Sequence, residues 1–123
     1  MSKLFNQLFK DLCLARSGNG DQFTHFCFAS LSHLLIILFL KSKDKGTLEE
    51  INSNISRKIV SRSTIQNILK DGQIIGFFEK EINISDKRSK FYKLSPKANE
   101  TINYFGKKYF QDQNLSGKLK KIA

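Results

Sequence analysis

Apolar residues recur about every four positions at the start of the chain: Leu4 and Phe5, Leu8 and Phe9, Leu12 and Cys13. That spacing predicts an amphipathic helix over Ser2–Ala15 with a wide apolar stripe. Arg16–Asp21, with two glycines and a candidate cap, breaks the pattern. From Asp21 or Gln22 to about Lys43 a second helix is predicted, apolar almost all round in its later half, as befits a helix in the middle of a fold. Lys41–Gly46 ends it. Thr47 followed by Glu50 has the form of a capping box, opening a helix with Leu48, Ile51, Ile55 and Ile59 on one face.

Ser61 is the next capping residue. Ile65, Ile68, Leu69 and Gly72 fall on one side of a helix running from about Arg62 to Ile75. Ser63, Gln66, Asn67 and Lys70 fall on the other. Gly76 is suited to end that helix. Alternation then replaces helical spacing: Phe78, Lys80, Ile82 and Ile84 share one strand face, and Lys90–Leu94 reads as a returning strand. Pro96, the single proline, suits the first turn of a last helix striped by Ala98, Ile102, Phe105 and Tyr109. Asn114–Ala123 reads as a frayed basic tail. The predicted fold is therefore mainly α with a small β-hairpin, in the order α-α-α-α-β-β-α. Two short helices joined tightly and followed by a basic hairpin form a winged helix-turn-helix.

At 123 residues the chain has room for a single domain with a modest core. Its net charge of +10 points to a polyanionic partner, nucleic acid or an acidic surface. The charge is uneven. Residues 1–40 carry three basic and two acidic side chains, 41–93 twelve and seven, and 94–123 six and two. The longest apolar stretch, Phe26–Leu40, is shorter than the roughly 20 residues of a membrane span and is interrupted by Ser30, Ser32 and His33. Met1–Arg16 lacks the layout of a secretory signal, and two widely spaced cysteines suit a cytoplasmic protein. No phosphate-binding glycine loop, His-Glu-x-x-His or Gly-x-Ser-x-Gly motif occurs, so neither an enzyme nor a cofactor is expected.

The residues from Ser61 to Ala98 resemble the core of MarR-type transcriptional regulators. Ser61, Ser63, Thr64 and Ile65 match the Ser-x-Ser-Thr-Val of the recognition helix. Gly76, Phe77 and Phe78 stand at Gly-Leu-Ile. Asp86 and Arg88 match the Asp-x-Arg of the wing. Leu94, Ser95 and Ala98 stand at Leu-Thr-x-x-Gly, with Ser for Thr and Ala for Gly. Gly72 occupies the place of a core leucine. The resemblance implies a homodimer paired through its terminal helices (1–20 and 96–123), with a DNA-binding lobe over 47–95.

The candidate DNA-binding residues are Ser61, Arg62, Ser63, Thr64, Gln66, Asn67 and Lys70 on the helix, and Lys80, Asp86, Lys87, Arg88 and Lys90 on the wing. Asn and Gln bind adenine edges bidentately and Arg prefers guanine. The hydroxyls and Lys70 suit phosphate oxygens. The resemblance implies that Arg88 enters the minor groove of double-stranded DNA and that Asp86 fixes its side chain. Arg57 and Lys58 are equally well read as phosphate contacts or as plain surface charge. Cys13 and Cys27 fit small buried hydrophobes better than a redox switch. His25 and His33, two turns apart on one predicted helix, do not form a metal pair. Phe23, Phe26, Phe28 and His33 are better read as core than as the wall of a small-molecule effector pocket. Two other readings stay open: a winged-helix protein of plasmid or phage replication or partition, and a winged helix that binds protein.

Overall fold

The computed structural model describes residues 2–17 and 21–110; the predicted tail at Asn114–Ala123 lies outside them. The elements are α1 (Ser2–Ser17), α2 (Gln22–Cys27), α3 (Leu31–Lys43), β1 (Gly46–Thr47), α4 (Leu48–Asn54), α5 (Arg62–Ile74), β2 (Phe78–Ile82), β3 (Lys90–Leu94) and α6 (Pro96–Phe110). The three strands form one antiparallel sheet in the order β1-β3-β2. Phe78 pairs with Leu94, Lys80 with Tyr92 and Ile82 with Lys90. This is a winged helix: α4 and α5 joined by a short turn, then the β2–β3 hairpin.

Three local signals act as expected. Thr47 Oγ1 accepts from Glu50 N at 3.1 Å while Glu50 Oε1 accepts from Thr47 N at 3.2 Å, closing a capping box on α4. Ser61 Oγ accepts from Thr64 N and caps α5. Gly76 takes a positive φ of 82°, a conformation that costs glycine little, and turns the chain from α5 into β2.

Four expectations are corrected. The single helix predicted over 22–43 is two helices. Ser30 sits between them in an extended conformation and accepts from His33 N at 3.2 Å, so a serine cap interrupts an otherwise continuous apolar run. His25 and His33 therefore lie on different helices. The helix from Thr47 ends at Asn54, because Ile55 leaves helical geometry and Ser56 begins a turn in which its carbonyl accepts from Ile59 N and Val60 N. Ile59 is consequently 61 % exposed rather than part of a buried face. β2 ends at Ile82, so Ile84 lies beyond the strand face it was expected to share, and both side chains are exposed. Finally, Gly46 and Thr47 add a third strand, which pairs with Phe91 and Tyr92 of β3. Two residues are too few to show alternation.

The core beneath α5 is aromatic. Phe77 packs its ring centroid 5.0 Å from those of Phe23 and Phe26 and 5.3 Å from that of Phe78; Phe26 lies 5.6 Å from Phe78. Ile36, Ile37 and Leu40 of α3, Ile51 of α4 and Ile65, Ile68 and Leu69 of α5 close around them. Gly72 is what admits the cluster. A Cβ there would lie 2.9 Å from Phe26 Cζ and closer still to the ring of Phe78. The volume beside Gly72 is thus filled by two phenylalanines arriving from elsewhere in the chain.

The two cysteines differ. Cys27 is buried in the core, and burial, reinforced by the charge of Asp21, pushes its thiol up to about 12. Cys13 is exposed on α1, contrary to the expectation of a buried hydrophobe. α1 is joined to the last helix by Lys108 Nζ, 3.0 Å from Asp11 Oδ2, a pair in which both side chains are largely buried. Gln7 donates a further hydrogen bond to Asp11.

Two measurements check this packing. Gly72→Ala gains helix propensity worth roughly 1 kcal/mol but overpacks the phenylalanine cluster at a cost of about 1–3 kcal/mol. Its melting temperature will fall, and adding Phe78→Leu will restore part of the loss by vacating the space. Brief alkylation of the folded chain near pH 8 will label Cys13 and spare Cys27, because so high a pKa leaves almost no thiolate at Cys27; unfolding will make both reactive.

Candidate nucleic-acid interface

The outward face of α5 follows from its inward one. With Ile65, Ile68, Leu69 and Gly72 buried, the 3.6-residue period turns Ser63, Gln66, Asn67 and Lys70 to solvent, and all four are exposed. At the helix start the hydroxyls of Ser61, Ser63 and Thr64 cluster: Ser61 Oγ lies 2.8 Å from Thr64 Oγ1 and 3.2 Å from Ser63 Oγ. No acidic residue occupies the first turn of α5, so this end combines hydroxyl groups with the partial positive charge of a helix N-terminus. Arg62 stands apart from the rest. Its guanidinium forms an ion pair with Glu49 of α4, which joins the two helices of the helix-turn-helix and occupies part of the group expected to read guanine.

The wing projects from the sheet beside α5. Its tip is shaped by two side chains that bond to their own backbone. Asn83 Oδ1 accepts from Ser85 N at 3.1 Å, and Asp86 Oδ1 accepts from Arg88 N at 3.0 Å. The same Asp86 oxygen lies 3.6 Å from Arg88 Nε. Asp86 therefore restrains both backbone and side chain of Arg88, while the Arg88 side chain remains 95 % exposed. Lys87 is exposed beside it, and Lys90 is half-buried where β3 begins.

An open groove runs between α5 and the wing as two pockets of about 620 and 470 Å3 that share Gln66, Lys80 and Tyr92. Asn67, Lys70, Gln73 and Ile74 line the first pocket; Arg62, Asp86, Arg88 and Lys90 line the second. Of the twelve predicted residues, these lining sets bring together Arg62, Gln66, Asn67, Lys70, Lys80, Asp86, Arg88 and Lys90. Ser61, Ser63 and Thr64 lie at the start of α5 outside both sets, and Lys87 lies on the tip.

Tyr92, shared by both pockets, is the most central of the lining residues that sequence reasoning missed; Leu48, Gln73, Ile74 and Ser89 are others. Tyr92 sits opposite Lys80 in the β2–β3 ladder, with Lys80 Nζ 5.8 Å from its ring centroid. The signal that would have found it is the hairpin register, since paired residues share a face. Glu49 was missed as well; it reveals itself only once α4 is packed on α5.

Behind the groove the sheet is charge-paired. Glu81 is bracketed by Lys45 at 3.3 Å and Lys93 at 3.5 Å. The hydrogen bond from Lys45, then the charges of both lysines, hold its carboxyl below the usual range. The basic side chains of the tip have no such carboxylate apart from Asp86 among the ion pairs found in the described residues.

The reading of the aromatic residues around α2 as core holds for two of them. Phe23 and Phe26 belong to the aromatic core. Phe28 instead lines a separate apolar pocket of about 290 Å3 with Leu8, Cys27, Leu34, Leu38 and Ile102, between α1, α3 and α6. Among the described residues no group of three His, Cys, Asp or Glu side chains is placed to hold a metal, and no helix is long and apolar enough to cross a membrane.

No protein-family model matches the chain, and no curated protein matches it. Solved structures do. The reduced form of AbfR bound to DNA is similar at 18 % identity and a TM-score of 0.55, over 98 % of this chain and 91 % of that one. The overoxidized form of AbfR bound to DNA is similar at 19 % identity and a TM-score of 0.54, over 99 % of this chain and 98 % of that one. The similarity extends over nearly the whole of both chains, so the chain shares the winged-helix fold of these structures from α1 through α6.

Proposed function

We propose that this chain is a MarR-like transcriptional regulator that binds double-stranded DNA as a homodimer and represses by occupying a promoter. The observation that carries the reading is the groove: the polar face of α5 and the basic tip of the wing, built by separate elements, open onto the same space. In this reading Gln66 and Asn67 address base edges in the major groove. The Ser61, Ser63 and Thr64 hydroxyls and Lys70 hold phosphates, and Arg88 reaches the adjacent minor groove, where narrowness concentrates negative potential. That the similar AbfR structures were solved on DNA supports the same assignment.

The dimer is supported by the exposed apolar side chains of α1. Phe5 and Phe9 are 58 % and 66 % exposed, with Leu12 on the same side of the helix. A contiguous stripe of that kind on a monomer is a usual mark of an association surface. Two copies would place their α5 helices for half-sites about one helical turn apart.

Selection from random duplexes followed by footprinting tests the whole reading. A palindrome of two half-sites is the expected product, and no enrichment would sink it. With the selected duplex, log K against log salt will fall with a slope of about −7 if a dimer neutralises about 8 phosphates. Arg88→Ala will lower the magnitude of that slope by about 1 for each chain. An unchanged affinity in a folded, dimeric Arg88→Ala protein would instead favour a wing that contacts protein.

A further inference from the structure

The wing carries an apolar feature that neither its strand pairing nor the core accounts for. Ile82 is 65 % exposed and Ile84 is 91 % exposed. Ile82 pairs with Lys90 in the β2–β3 ladder. It therefore shares a sheet face with Lys80 and Tyr92, the residues that line the groove beside α5. Ile84 follows two residues later in the bend leading to Asp86, Lys87 and Arg88. Exposed isoleucines at a strand end are a liability for unwanted pairing, and a solvated hairpin tip has no use for them.

Resting on the DNA-binding reading above, we propose that Ile82 and Ile84 form an apolar wedge that packs against the deoxyribose walls of the minor groove beside Arg88. The surroundings match that occupant. Lys80 precedes the two isoleucines in the chain and Lys87, Arg88 and Lys90 follow them, and a minor groove presents rows of phosphates flanking weakly polar sugar rings. Apolar side chains inserted by minor-groove proteins occupy this environment, and they favour flexible pyrimidine–purine steps that open at low cost. The wing thus supplies two separable terms: a salt-dependent one from its cations and a salt-independent one from the isoleucines.

The separation provides the test. Ile82→Ser/Ile84→Ser, titrated against the selected duplex over a range of salt, should bind about tenfold more weakly with an unchanged salt slope. Ile82→Leu/Ile84→Leu should bind like the parent. Hydroxyl-radical cleavage reads deoxyribose exposure in the minor groove. At saturation the serine protein should lose protection at the outer flanks of the site and keep it at the centre. Ile84→Ser alone, beyond the end of β2, repeats the measurement without touching the strand pairing. Parental affinity and flank protection in the serine proteins would overturn the wedge and leave the DNA-binding reading standing. So would a loss of self-association without loss of DNA affinity, which would assign the isoleucines to a second copy. A parental chain that binds no duplex at any salt would remove both.

Discussion

The close approach of Phe78 and Phe26 over Gly72 is the contact on which the wing-bearing half of the molecule depends. Phe78 begins β2, Phe26 belongs to α2 and Gly72 to α5. The absent side chain at Gly72 lets the rings settle against the helix backbone. Phe77, one residue earlier, packs on Phe23 and Phe26. The helix that presents the polar face, the strand that begins the wing and the helix that leads back toward α1 are thereby tied together by dense apolar packing. Native interiors of this kind deform little. The distance between the α5 face and the wing is accordingly a property of the core and not of the loops.

Much of this was legible in the chain because the governing interactions are local. Thr47, Ser61 and Gly76 act within one helical turn of themselves, through a hydroxyl that reaches its own helix or a φ open to glycine. The alternation in 78–82 and 90–94 is likewise a neighbour-to-neighbour pattern. What was not legible depends on partners distant in sequence. Ser30 is flanked by apolar residues on both sides, so its cap is hidden within a helix-like period. Gly46 and Thr47 become a strand only because β3 is there to pair with them. Gly72 looks like a lost core residue until Phe78 and Phe26 are seen to occupy the volume. Most of the site's face on α5 could be read from periodicity, whereas Tyr92 and the Glu49–Arg62 pair required the hairpin register and the packing of α4 on α5.

The electrostatics of the two sides of the wing differ in kind. On the sheet, Lys45 and Lys93 share Glu81, and Lys45 also lies over the Phe91 ring at 4.6 Å. Two lysines there share one carboxylate, which holds both in place. At the tip, Asp86 offsets one charge among Lys87, Arg88 and Lys90, and spends its hydrogen-bonding capacity on orienting Arg88. The +10 of the whole chain therefore understates how selectively positive potential is left available. Exposed ion pairs of this sort contribute little to stability; their effect is to decide which cations remain free for a polyanion.

The joint between the wing and α6 has a mechanical consequence. Ser95 N donates to Phe77 O at 2.9 Å, and Ser95 Oγ accepts from Ala98 N at 3.2 Å. One residue thus fastens the base of the hairpin and caps the helix that Lys108 couples to Asp11 of α1. The hairpin has no free pivot at its root. The root of the hairpin and the start of α6 are therefore held by the same residue, so the placing of the wing and the placing of the last helix are one structural decision and not two.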